Sequence, residues 1–210
     1  MTVKKDRCVI IGGAPIGDYP YIRSMLQESD YFVFCDSGLS HMESFRVKPD
    51  LIVGDFDSIE NPHMDIETIV LPCEKDDTDT YFAAKEGLKR GYREFLLIGV
   101  IGARLDHSLG NVSILMYLTS QNAKGVILDD YSQMEIVTDE PVCVEDSWSY
   151  FSLLCLTGSA EGVTVENAKY PLNDGVITSS YAYGVSNEVL PGKTAAVFVK
   201  KGNLLLIKIR

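Results

Sequence analysis

Up to about residue 129 the chain alternates short apolar runs with amphipathic segments: "RCVIIGG", "DYPYIRSMLQES", "YFVFCDSG", "DLIVGDFDS", "ETIVLPCEKDD", "TDTYFAAKEGLKRG", "EFLLIGVIG", "LDHSLGNVSILMYLTSQN" and "AKGVILDD". Strands separated by helix-length segments require crossover connections, so this half is expected to form a parallel sheet covered by helices. Beyond "LDD" the helical period stops. The segments "SQMEIVTD", "PVCVE", "YFSLLCL", "GVTVENAKY" and "GVITSSYAYGVSNEV" read as successive strands with turn signals between them. The last run, "TAAVFVKKGNLLLIKI", reads as a hairpin turning at Gly202-Asn203. The expected fold is α/β: a Rossmann-like parallel-sheet lobe over residues 1–129, then a smaller all-β lobe, sandwich or barrel-like, over 133–210.

In an open parallel sheet, ligands bind outside the carboxyl ends of the strands, so the residues just after each apolar run matter most. Here the runs end in "GGAPIG", "CDSG", "GDFDS", "CEKDDTD" and "GARLDHSLGN", and four of these bring at least one Asp. One such cluster alone is an Asx turn or a helix N-cap, as Asp77 or Thr78 would be for "TDTYFAAKEGLKR". Four on one rim point instead to a shared cation or donor network, because carboxylates this dense repel one another. Hard oxygen ligands suit Mg²⁺, which takes one or two protein carboxylates together with substrate phosphates. No cysteine interleaves the acids, which disfavours zinc.

A phosphate needs cradling donors. Gly12, Gly13 and Gly17 let a backbone loop approach an anion, although "GGAPIG" matches neither of the common phosphate-loop patterns. Arg104 and Lys75 are the rim cations placed to meet phosphate oxygens, with a salt bridge to the same aspartates as the structural alternative. The net charge of -11 argues against binding a nucleic-acid backbone or an anionic membrane, and leaves a small phosphorylated ligand. With 46% hydrophobic and 10% aromatic residues the chain has enough apolar surface for one large core or two modest ones. It carries five cysteines without a CxxC pair, read as reduced, buried thiols. There is no apolar run of roughly 18 residues, and "MTVKKDRCVIIGG" lacks a signal-peptide core, so a cytoplasmic location is expected.

The motifs "GDFDS", "EKDDTD", "GARLDHSLGN" and "GVSNE" stand in the order and two-lobe context of the thiamine pyrophosphokinases, and the chain resembles the bacterial members over almost its whole length. The resemblance implies ATP and thiamine as substrates, AMP and thiamine diphosphate as products, Mg²⁺ as cofactor, and a homodimer with each thiamine site shared between subunits. It makes residues 1–129 the nucleotide-binding catalytic domain and 133–210 the thiamine-binding and dimerisation domain. Asp55 and Asp57 would be the acids of "DxD", Asp76 and Asp79 those of "DxxTD", all four candidate metal ligands, and Arg104 and Asp106 the catalytic "RxDH" pair. Gly12, Gly13, Asp36, Ser37, Lys75, Arg104 and His107 would meet the nucleotide. Asp79, Ser186 and Asn187 would meet thiamine. Two small-residue departures occur, Ser37 and Ala103 at positions that are commonly Gly in the family.

Three other readings compete with this one. An Asp of "GDFDS" acting as nucleophile would make a phosphohydrolase, "DFD" as a metal clamp a nucleotide-sugar transferase, and binding without turnover a sensor. His107 is the alternative general base, although a His after a turn more often bonds structurally. Trp148 reads as packing, and His41 and His63 as surface or loop residues.

Overall fold

The strand "RCVII" lies in the middle of the first sheet, where an unbroken apolar run belongs because helices cover both faces. The computed structural model describes residues 5–57, 63–72 and 76–210. Its internal contacts divide the chain into two units, Met1–Asp130 and Tyr131–Arg210. The first unit contains β1 (Arg7–Ile11), α1 (Tyr19–Ser24), β2 (Asp30–Cys35), α2 (Met42–Phe45), β3 (Leu51–Gly54), β4 (Thr68–Val70), α3 (Asp79–Lys89), β5 (Glu94–Ile98), α4 (Leu105–Ser120) and β6 (Lys124–Leu128). Its strands run parallel in the order β4-β3-β2-β1-β5-β6. The order reverses at β1, between β2 on one side and β5 on the other, and that switch point opens a crevice at the carboxyl ends.

Cys8, Val9, Ile10 and Ile11 are all fully buried. Val9 and Ile11 join Phe32, Phe34, Phe45 and Ile98 in one cluster. Burying an aliphatic side chain of this size contributes about 1.5–3 kcal/mol, so β1 anchors the sheet. Thr78 caps α3, its hydroxyl accepting from the Tyr81 amide at 3.3 Å. The Cys8 thiol is pushed up by burial, which makes it an inert core group. Cys8, Cys35 and Cys155 are buried as expected, whereas Cys143 is exposed, because its strand lies at a sheet edge with its alternate side chains outward; Cys73 lies outside the described residues.

The second unit holds β7 (Ser132–Val137), β8 (Val142–Glu145), β9 (Tyr150–Leu154), β10 (Ser159–Glu166), β11 (Leu172–Thr178), β12 (Thr194–Phe198) and β13 (Leu204–Ile209). Two antiparallel layers, β7-β13-β9 and β11-β10-β12-β8, enclose a core that includes Val137, Phe151, Val163, Val197 and Leu206.

The expected hairpin at Gly202-Asn203 does not form. β12 pairs with β10 and β8, while β13 pairs with β7 and β9, so the chain changes sheet at that turn. The Lys200 and Lys201 amides both bond the Glu161 carbonyl at 3.1 Å, and the Val199 amide bonds that of Thr138. Ala195, Val197, Leu204 and Leu206 thereby face one core from two layers. A Gly-Asn turn signals a local φ above zero, +91° at Gly202, and does not specify which strands pair.

Candidate functional site

β2 and β3 are adjacent and parallel, with Cys35 opposite Val53, so Asp36 and Asp55 leave the sheet side by side. Gly54 permits that approach, since a Cβ there would lie 3.2 Å from the Cα and Cβ of Asp36. Asp36 and Phe56 take left-handed backbone (φ 41° and 56°), a conformation uncommon away from glycine. The result is that carboxylate oxygens of Asp36, Asp55 and Asp57 lie within 4.8 Å of one another. Asp36 is buried, Asp55 half-buried and Asp57 exposed, so the cluster grades from the sheet into solvent.

These acids line a cavity of about 620 Å³ at the switch point. The loop after β1 forms another wall through Gly12, Gly13, Ala14 and Pro15. Gly13 has no room for a side chain, because a Cβ would come within 1.9 Å of the Ser37 hydroxyl oxygen. The N-terminal turn of α3 brings Thr78, Asp79 and Thr80, and the start of α4 brings Arg104, His107, Ser108 and Asn111. Helix N-termini carry partial positive charge and suit bound anions.

Of the residues expected from the sequence, Gly12, Gly13, Asp36, Ser37, Asp55, Asp57, Asp79, Arg104 and His107 all line this cavity. Asp76 is exposed and outside its lining, whereas Asp77 lies on the wall and pairs with Lys85 at 2.7 Å. Lys75 lies outside the described residues. Asp106 grips Arg104 bidentately, with Arg104 Nε to Oδ1 at 3.0 Å and Arg104 Nη2 to Oδ2 at 2.6 Å. That guanidinium holds the Asp106 carboxyl well below the usual carboxylate range, with a smaller contribution from the His107 backbone.

Sequence reasoning missed Thr80, Ser108 and Asn111. The Thr80 hydroxyl donates to Asn111 Oδ1 at 2.6 Å, and Asn111 Nδ2 donates to the Val100 carbonyl at 2.8 Å, tying α3 and α4 to the β5 loop. The position of Asn111 at the end of "GARLDHSLGN", two turns into the helix and just ahead of its largely apolar stretch "VSILMYL", was the available signal. His41, expected at the surface, is buried. Its ring is enclosed by Tyr19 and Phe45, neighbours that a local reading of "LSHME" cannot supply. His63 is exposed, and Trp148 packs on the second unit's core.

In the second unit Ser186 is exposed, with φ at +61°, and its amide donates to the Ser152 hydroxyl at 3.1 Å. Asn187 is buried: Oδ1 accepts from the Tyr170 and Glu188 amides, and Nδ2 donates to the Tyr170 carbonyl. Its side chain therefore shapes the loop that presents Ser186.

A parallel sheet whose switch point carries a glycine loop, converging carboxylates and an arginine is the architecture of a nucleotide-handling α/β protein. Residues 22–127 match the thiamin pyrophosphokinase catalytic domain, and residues 132–204 match the thiamin pyrophosphokinase vitamin B1 binding domain. The chain belongs to the thiamine pyrophosphokinase family. It is 27% identical to the thiamine pyrophosphokinase of Bacillus subtilis strain 168, over 95% of this chain and 96% of the relative. Its fold is similar to the crystal structure of a thiamine pyrophosphokinase from Bacillus subtilis, with a TM-score of 0.87 at 24% identity, over 97% of this chain and 99% of that one. It is also similar to that of a family protein from Enterococcus faecalis, with a TM-score of 0.80 at 26% identity, covering 98% and 99%.

Proposed function

We propose that the cavity of the first unit holds ATP for the reaction the family carries out, and that the convergence of Asp36, Asp55 and Asp57 is the observation that carries this assignment. The chain is a thiamine diphosphokinase, which transfers a pyrophosphoryl group from ATP to the thiamine hydroxyl and gives thiamine diphosphate and AMP. The donor set fits Mg²⁺, because three hard carboxylates stand close together on a wall with no thiolate among the clustered groups. Asp36, Asp55 and Asp57 would hold it, with Asp79 on the same cavity wall. The chemistry such an ion would supply there is Lewis-acid neutralisation of phosphate charge.

The chain's own groups do the rest. The Gly12-Gly13 loop and Ser37 seat the phosphates, and Arg104 stabilises charge on the transferring group. His107 meets the nucleotide at the start of α4. The thiamine hydroxyl oxygen bonds to the β-phosphorus, the bond from that phosphorus to the α,β-bridging oxygen breaks, and AMP leaves with the bridging oxygen. A carboxylate of the wall takes the hydroxyl proton. Transfers of this kind depend on positioning and charge stabilisation more than on covalent catalysis.

Ser186, with Asn187 behind it, belongs to the acceptor wall, and the protein works as a homodimer in which one subunit's acceptor wall completes the other's site. Exposed Tyr170, Tyr181, Tyr183 and Val185 on the second unit support a covered surface there. The unbridged thiols Cys8, Cys35, Cys143 and Cys155 fit a reducing cytoplasm. Incubation with ATP, Mg²⁺ and thiamine tests the reaction. AMP appears in step with thiamine diphosphate; ADP in that role would mean monophosphoryl transfer, and inorganic phosphate alone would mean hydrolysis.

A further inference from the structure

The loop after β1 is pinned at its start by backbone and at its far end by a carboxylate. The Gly12 amide bonds the Ile98 carbonyl at 2.9 Å and the Ala14 amide bonds that of Gly99 at 2.8 Å. Further along, the Gly17 and Asp18 amides bond the Asp130 carboxylate at 2.7 and 2.8 Å. Between these anchors, at the carbonyl of Ala14, the side chain of His41 reaches the loop, with Nε2 at 3.0 Å. A carbonyl only accepts, so Nε2 carries the proton. A neutral ring then leaves Nδ1 as the acceptor, and the Tyr19 hydroxyl, 2.7 Å away, donates to it.

The surroundings keep the ring neutral and fixed. Only 5% of His41 is exposed, and its pKa is lowered by burial, with the Ala14 bond opposing. Tyr19 and Phe45 pack against each other with ring centroids 5.2 Å apart, and both flank the His41 ring. His41 also ends the short 3-10 segment Asp36–His41, whose first residue is an acid of the carboxylate cluster. One imidazole therefore ties the glycine loop to the segment that bears Asp36.

We infer that His41, oriented by Tyr19, is a positioning residue for the nucleotide: it holds the Ala14 peptide so that the Gly12–Pro15 loop keeps the shape that seats phosphate beside Asp36. This rests on the assignment of ATP to the first unit's cavity. Ala14 and Pro15 line that cavity and His41 does not, so its effect passes through the loop.

The test is calorimetric binding of ATP with Mg²⁺ to the full chain, alongside steady-state kinetics. His41→Leu removes the donor and keeps apolar bulk, and is expected to weaken ATP binding about tenfold, the scale of one lost buried hydrogen bond. The KM for thiamine stays unchanged. His41→Gln carries an amide nitrogen the same number of bonds from the backbone and recovers most of the affinity. If His41→Leu does not fold, Tyr19→Phe, which leaves the packing intact, replaces it, with an expected weakening of about threefold. Wild-type affinity in the folded His41→Leu or Tyr19→Phe protein overturns the inference. So does a folded His41→Gln as weak as His41→Leu, or a KM for thiamine that rises in parallel. Failure of the wild-type chain to bind ATP would bring down the nucleotide assignment itself, a result distinct from wild-type binding that the variants leave unchanged.

Discussion

The two units place polar side chains in opposite ways. In the first, the carboxylates of Asp36, Asp55 and Asp57 crowd together at the ends of buried strands, an arrangement that costs stability through repulsion. In the second, Asn187 is surrounded by backbone partners and uses its amide to build the loop under Ser186. Acids crowded at a proposed ligand site and an amide bonded into its own loop should respond differently to removal. The largest expected effects come from that difference. Asp55→Asn or Asp57→Asn should cut turnover by roughly 10²-fold or more, the scale of one lost preorganised contact, while thermal stability without metal stays equal or rises. Asp76→Asn, on an exposed side chain outside the cavity, should change turnover far less. Equal losses at Asp57 and Asp76 would erase the distinction drawn from the cavity wall.

That distinction was only partly readable from residue order. The strand-helix alternation located the first sheet because parallel strands buried on both faces need continuous apolar runs, and "CDSG" and "GDFDS" placed acids at its carboxyl ends. Residue order could not say that Asp36, 19 residues before Asp55, joins the metal-ligand candidates. β2 and β3 bring them together, and strand adjacency is a tertiary fact. The same limit explains the Gly202-Asn203 turn, where local chemistry specified a bend and core burial decided which sheets it joins. Thr80 and Asn111 went unread because neither acts alone; their hydrogen bond spans 31 residues.

Next in size is the effect of mixing subunits, which tests whether the second unit completes a site on another chain. An Asp79→Asn protein and a Ser186→Trp protein, the latter blocked at the exposed position of the acceptor wall, should each be nearly inactive. After subunit exchange, half of randomly paired dimers are mixed and each carries one site with both walls intact, so activity should return to about a quarter of wild type. No recovery, or a monomer in light scattering at working concentration, would assign each site to a single chain.

A smaller effect separates building from contacting within the second unit. Asn187→Ala leaves partly buried backbone groups of Tyr170 and Glu188 without their partner, so a loss of about 1–2 kcal/mol is expected in denaturant melts. Ser186→Ala, on an exposed side chain, should leave stability within about 0.5 kcal/mol and raise the KM for thiamine. Reversed results would exchange the roles assigned to the two residues.

The smallest effect is expected at Asp106. Its bidentate grip uses Nε and Nη2 of Arg104 and leaves Nη1 for a ligand in the cavity that Arg104 lines. Because both side chains are largely exposed, at 71% and 64%, the pair is screened and adds little to stability. Asp106→Asn should therefore leave the melting temperature unchanged and lower kcat/KM for ATP a few-fold, by letting the guanidinium wander. The sign of any pH effect is set by the depressed carboxyl. Whatever stability the pair contributes is present above the ordinary carboxylate pKa and is lost only as pH falls through the lower folded value. Between about pH 5 and 8 the carboxylate stays charged, so wild type and Asp106→Asn should show parallel pH profiles there. An acidic limb that disappears in the variant would mean that Asp106 itself titrates during turnover, as a proton acceptor and not as a brace for Arg104.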